Sequence, residues 1–209
     1  MEEISSNYKI DVVDLRQIAI FQKHPEVILK ILAPIEYQII KVLYHEVSGL
    51  SARDIQKKII WNMLKKIWDS AKNKIEEQKK IYEGLNKYLK VKYDEKISDL
   101  DFLMKNVKRM SITEQIKFIR ETSDKYGVDV PAHTTVIRHL EDSLYPQGFV
   151  GRKHYPDKKR ISYIYFLNPK LYSLIKEIET KWNESNKSDP TVSTWNNFFS
   201  YNESNQLFL

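Results

Sequence analysis

Apolar residues recur at helical spacing over most of this chain, and the places where that spacing fails divide it into elements. Residues 34–47 carry Tyr37, Ile40, Leu43 and Tyr44 on one stripe, with Ile39 and Val47 beside it, which predicts a helix. Pro34 suits its first turn, and Ser48-Gly49 ends it. Leu50 is placed for a short strand, and Ser51 with Asp54 three residues on opens the next helix. From there the helical pattern runs on to about Lys92. Ile60, Leu64, Ile67 and Ala71 form a seam; Lys74 and Gln78 interrupt it. Ile75, Tyr82, Leu85 and Leu89 resume it after a stutter.

Residues 93–96 read as a break. Leu100, Phe102, Leu103 and Val107 then predict a second helix, placed to fold back on the first. Ser111 and Glu114 make a capping box for a helix running to about Lys125, and Tyr126-Gly127 is a turn. Residues 131–141 read as a short helix with Ala132, Val136 and Leu140 inward. That phase turns Thr134, Thr135 and Arg138 outward, with His133 and His139 at the margins. A Pro-Gln-Gly turn follows, then strand-like runs at 149–155 and 161–167. Asn168-Pro169 starts a last helix, with Leu171, Leu174, Ile175, Ile178 and Trp182 on one stripe.

The ends are less patterned. Residues 1–10 are expected to be frayed or loosely docked, 11–21 to form a short helix, and the apolar run 27–32 to be buried. From Asn183 the chain turns polar and is expected to be flexible. Its aromatic end, from Thr194, is expected to dock on its own domain, a protein partner being the alternative.

Charge changes the picture in one region. The net charge of +6 is modest, yet residues 57–92 hold eleven lysines against Asp69, Glu76, Glu77 and Glu83, or 11 − 4 = +7. The polar face of the long helix is therefore a lysine strip, suited to a dimerising arm, a phosphate contact or a plain solvated face. The ribbon carries Arg152, Lys153, Lys158, Lys159 and Arg160 against Asp157 alone. Such a tip suits phosphate or the minor groove. Arginine on an outward helix face can fork onto guanine, and threonine can meet phosphate or a thymine methyl.

Catalytic chemistry finds no foothold. Absence of cysteine excludes disulfides, thiolate metal sites and cysteine nucleophiles, and is compatible with a reducing cytosol. His24, His45, His133, His139 and His154 are scattered without carboxylate clusters, so no metal is expected. There is no phosphate loop, no GxSxG and no triad context, so neither an enzyme nor a bound cofactor is expected. The first residues do not read as a secretory signal, and no apolar run approaches the roughly 20 residues of a membrane span. A cytoplasmic protein is the expectation. Abundant Lys, Ile, Glu and Tyr without Cys is a thermophile-like composition.

The helix at 131–141, the Gly148-Phe149-Val150 step into the first strand and the YxYxLNP exit at 163–169 resemble the winged helix-turn-helix regulators. EYQIIKVLYHEVSGLSARDIQKKI, from Glu36, resembles the first two helices of that domain. The resemblance covers about 34–58 and 111–168. It implies a mainly α fold with a small antiparallel β wing, here carrying a long helical hairpin or coiled-coil insertion. It also implies a sequence-specific transcription regulator, homodimeric on a palindromic double-stranded DNA site. Base-facing roles fall to Thr134, Thr135 and Arg138, with His133 and His139 at their margins. Backbone or minor-groove roles fall to Arg152, Lys153, Lys158, Lys159 and Arg160. The alternative is a protein-interaction module of transcription, replication or segregation machinery.

The domain layout expected is an N-terminal segment at 1–33, first helices at 34–58, the hairpin insertion at 59–110, the helix-turn-helix and wing at 111–182, and a tail at 183–209. The helix from Ser51 or the one from Ser111 could serve as the motif's second helix. The reading adopted is the one from Ser111, packed with the Pro34 helix, because Gly127 then sits in the turn.

Overall fold

Helices dominate the chain, and its strands join in one four-stranded antiparallel sheet. The computed structural model describes residues 9–82, 87–123, 130–154, 163–184 and 193–199. In chain order the elements begin with β1 (Lys9–Val12), α1 (Ile18–Lys23), α2 (Glu26–Ile31), α3 (Pro34–Tyr44) and β2 (Leu50–Ser51). Then come α4 (Ala52–Tyr82), α5 (Lys87–Arg109), α6 (Ile112–Ser123) and α7 (His133–Arg138), which continues as a π-helical stretch at His139–Leu144. Last are β3 (Val150–His154), β4 (Tyr163–Leu167), α8 (Pro169–Glu184) and α9 (Asn196–Phe199). Two compact units result: Met1–Ile55 with His133–Leu209, and Gln56–Ala132.

In the first unit the sheet order is β1-β3-β4-β2. Its core holds Phe21, Ile28, Ile39, Ile40, Leu43, Ile55, Val136, Leu140, Phe149, Val150, Leu171 and Ile175, all fully buried. Pro34 stands at the first turn of α3, and Glu36 Oε2 accepts from the Ala33 amide at 2.9 Å. Ser51 caps α4 as expected: its Oγ accepts from the Asp54 amide at 3.2 Å and donates to Asp54 Oδ2 at 2.6 Å. Gly148 takes φ +79° against the backbone of Asp14, where a Cβ would stand 2.5 Å from the Asp14 carbonyl oxygen. Only glycine fits that turn. Asn168 then links strand to helix: its amide donates to Phe149 O, its Nδ2 to Val13 O, and its Oδ1 accepts from Lys170 N.

The N-terminal expectation needs correcting. Residues 9–12 pair with β3 in register Lys9↔His154 to Val12↔Gly151, and the helix starts only at Ile18. Ile10 and Val12 are β-branched, so a strand suits them once β3 offers an open edge.

Residues 193–199 also pack into the fold. Trp195, Phe198 and Phe199 are buried; Phe198 meets Tyr37 and Tyr44 at 5.7 Å, and Phe199 meets Trp182 at 5.6 Å. Lys41 Nζ donates to Asn197 O at 2.6 Å, and Trp182 Nε1 to Asn196 Oδ1 at 2.7 Å. Residues 193–199 are therefore part of the core between α3 and α8, as self-docking requires.

In the second unit α4 and α5 form the expected antiparallel hairpin, with one correction. The break does not fall at 93–96, because α4 ends at Tyr82 and α5, from Lys87 to Arg109, runs helical through those residues. Ile60 and Leu64 meet Val107; Lys72 faces Asp101 at 3.9 Å; Lys79 pairs with Asp94 at 2.6 Å. Ile112, Ile116, Phe118 and Val130 pack on the same cluster. Ser111 Oγ accepts from the Glu114 amide while Glu114 Oε2 accepts from the Ser111 amide, closing the capping box. Gln56 Nε2 donates to Pro131 O at 2.9 Å. Thus α6 completes this unit, and the adopted pairing of α6 with α3 is corrected. The start of α4 is the helix that shares a unit with α3 and α7, and the inserted region extends from Gln56 to Ala132. Among the described residues no helix is long and apolar enough to cross a membrane.

Candidate nucleic-acid interface

The outward face of α7 follows from what its inward face must bury. Val136, Leu140 and Leu144 lie four residues apart, and all three are buried. On an α-helix each such step drifts about 40° off axis. The π-helical stretch, with Tyr145 N donating to Leu140 O and Phe149 N to Leu144 O, widens the turn and holds the three in line. This phase leaves His133, Thr134 and Arg138 exposed and Thr135 half-buried. Ala132 is exposed rather than inward, and Ile137 joins the outer face at 36% exposure. Arg138 has no ion-pair or hydrogen-bond partner among the described residues.

His139 points the other way. Its Nδ1 lies 3.0 Å from Glu36 Oε1, tying α7 to α3. Burial alone would raise the Glu36 carboxyl, but hydrogen bonds from His139, Ser143 and the Ala33 amide outweigh it and hold it below the usual carboxylate value. His139 is thus spent on the fold.

Arg152 is likewise enclosed. Its guanidinium donates to Glu141 Oε2 at 2.5 Å and faces Asp11 at 3.8 Å. It lies 4.1 Å from the ring centre of Tyr145 and 4.5 Å from that of Tyr163, a cation between two aromatic faces. Burial opposes the charge, yet Glu141 and the neighbouring rings more than compensate, so its pKa is raised. Tyr165 donates to the other oxygen of Glu141 at 2.6 Å; burial, and then that carboxylate, push its phenol far up. Sequence reasoning missed Asp11, Glu36, Glu141, Tyr145, Tyr163 and Tyr165, because none carries a local signal of its distant partner.

Lys153, next along β3, projects from the opposite side of the sheet, its Nζ 5.4 Å from the Phe166 ring centre. It is half-buried. Lys158, Lys159 and Arg160 lie outside the described residues. Among the described residues no group of three His, Asp or Glu side chains could hold a metal ion.

No protein-family model, curated protein or solved structure matches this chain. What α7 offers is a short, firmly backed helix with a guanidinium that has no partner among the described residues, two hydroxyls and an imidazole on one side. A two-stranded ribbon follows it within the same unit.

Proposed function

We propose that the first unit binds double-stranded DNA sequence-specifically as a winged helix-turn-helix regulator, with α7 in the major groove and the β3–β4 ribbon on the backbone or minor groove. One observation carries this reading: Arg138 stands exposed, with no partner among the described residues, on a face it shares with His133, Thr134, Thr135 and Ile137. The order α3, β2, α4, α7, β3, β4, with β2 paired to β4 and β4 to β3, supports it. That is the succession the family resemblance implies, interrupted between α4 and α7 by the second unit. Direct contacts are assigned to His133, Thr134, Thr135, Arg138 and Lys153, and by sequence to Lys158, Lys159 and Arg160. Arg152 and His139 leave that set because each is held against a carboxylate of the fold, Arg152 on Glu141 and His139 on Glu36.

The test is selection of bound duplexes from a random pool, followed by titration of the selected site. Arg138→Ala should cost about 1–3 kcal/mol on that site, relax one base position, and leave non-specific affinity unchanged. Absence of binding to any duplex at about 50 mM salt would refute the proposal. A second reading rests on a separate feature. On α5, Phe102 is 67% and Leu103 is 40% exposed, an apolar pair that a protein partner of the second unit could cover. Loss of a duplex-independent complex on Phe102→Ser would favour it.

A further inference from the structure

Arg152 looks at first like one more cation of a basic ribbon, and its surroundings argue otherwise. Glu141 sits at the far end of the helix begun by α7; Arg152 sits on β3; Asp11 sits on β1; Tyr163 and Tyr165 sit on β4. Through one guanidinium and one carboxylate, the reading helix is joined to three strands of the sheet. Glu141 uses both oxygens, one on Arg152 at 2.5 Å and one on the Tyr165 hydroxyl at 2.6 Å. Arg152 also lies over the rings of Tyr145 and Tyr163. The planar, five-donor fork of arginine suits this enclosure in a way lysine could not match.

Resting on the DNA-binding reading, we infer that Arg152 and Glu141 are a positioning pair: they set the angle of the ribbon against α7, so that both can reach one duplex together, and neither touches DNA. The physical consequence is distinctive. A lysine or arginine that neutralises a phosphate releases counterions, so its loss lowers the salt dependence of binding for every sequence alike. A strut releases none. Its loss lets helix and ribbon move independently, which penalises the site needing both and spares loose association with any duplex.

The experiment compares Arg152→Gln, Glu141→Gln and the double variant with wild type on the selected duplex and on a random one, across salt. Expected is a roughly ten-fold loss on the selected duplex, comparable to a single mismatched base pair, with little change on random DNA. The slope of log K against log salt should stay as in wild type, and the double variant should lose no more than either single one. A slope shallower by about one, with both duplexes weakened equally, would identify Arg152 as a phosphate contact and overturn the inference. Unchanged affinity for the selected duplex would overturn it too.

A readout without DNA separates this inference from the proposed function. The chain has no cysteine, so Thr134→Cys with Lys153→Cys gives a clean pair of spin-label sites on α7 and β3. Arg152→Gln should broaden the distance distribution between them; an unchanged distribution would overturn the strut even if wild type binds no duplex. Should Arg152→Gln fail to fold by circular dichroism, Arg152→Lys keeps the charge beside Glu141 and loses the fork and stacking. It is then measured the same way, and a broadened distribution is expected of it.

Discussion

Replacing Trp195 with alanine tests whether the aromatic end of the chain belongs to the core. The indole is fully buried, stacked on Phe199 at 5.6 Å and edge-on to Phe198 at 5.2 Å. Burying about 200 Å² of ring at about 25 cal/mol per Å² is worth about 5 kcal/mol, and core Trp→Ala changes cost about 3–5 kcal/mol. The segment's own balance sets a ceiling. Three rings bury about 600 Å², worth about 15 kcal/mol, while ordering residues 193–199 costs about 10 kcal/mol. Docking therefore nets about 5 kcal/mol, and losing one ring nearly abolishes it. We expect Trp195→Ala to lower the urea-unfolding free energy by about 4 kcal/mol, followed by far-ultraviolet circular dichroism. Before global unfolding, emission should shift red, because Trp182 loses its bond to Asn196 and its contact with Phe199. A loss below about 1 kcal/mol would refute the docked segment. Trp195→Phe sharpens the test. The indole Nε1 is buried without a partner among the described residues, so phenylalanine removes an unsatisfied donor and should cost far less than alanine.

Two further expectations follow from backbone and charge. Gly148→Ala places a Cβ 2.5 Å from the Asp14 carbonyl oxygen at φ +79°, and should destabilise the first unit by about 2–3 kcal/mol in thermal unfolding; wild-type stability would refute that turn. Because the folded carboxyl of Glu36 is lowered from 4.5, the stability it contributes is present above about pH 4.5 and lost as pH falls through the folded value. Wild type should therefore lose stability more steeply than Glu36→Gln as pH falls below about 4.5, and parallel curves there would exclude the depressed carboxylate.

The long helices were legible because their signal repeats over many turns and their caps are local, but the break between them was not: α5 already runs from Lys87, through the residues 93–96 read as the break. Ser51 with Asp54 and Ser111 with Glu114 each form the bonds their spacing promises. The grouping of those helices was not legible. The stripe of Ile112, Ile116 and Phe118 on α6 would serve equally well against α3 or against the α4–α5 hairpin, and amphipathicity names a buried face without naming its partner. In the structure it meets Ile60, Leu64 and Val107. β1 escaped for a related reason. Alternation over Lys9–Val12 is too short to separate a strand from the approach to a helix, and the edge that decides it is β3, far along the chain.

The same distinction governs the candidate site. Arg138 could be placed from the chain because Val136 and Leu140 fix the helix phase, and exposure follows from phase alone. Arg152 could not, because a cation's role depends on what stands opposite it. Its partners come from β1, the π-helical stretch and β4, and nothing near Arg152 in the sequence announces them. Counting basic residues along the ribbon therefore overstates its free charge by one arginine, since Arg152 is paired with Glu141. If α7 and the ribbon act together on DNA, the salt dependence should reflect the exposed lysines and arginines only. The enclosed guanidinium should instead show itself in how sharply selected and random duplexes are told apart.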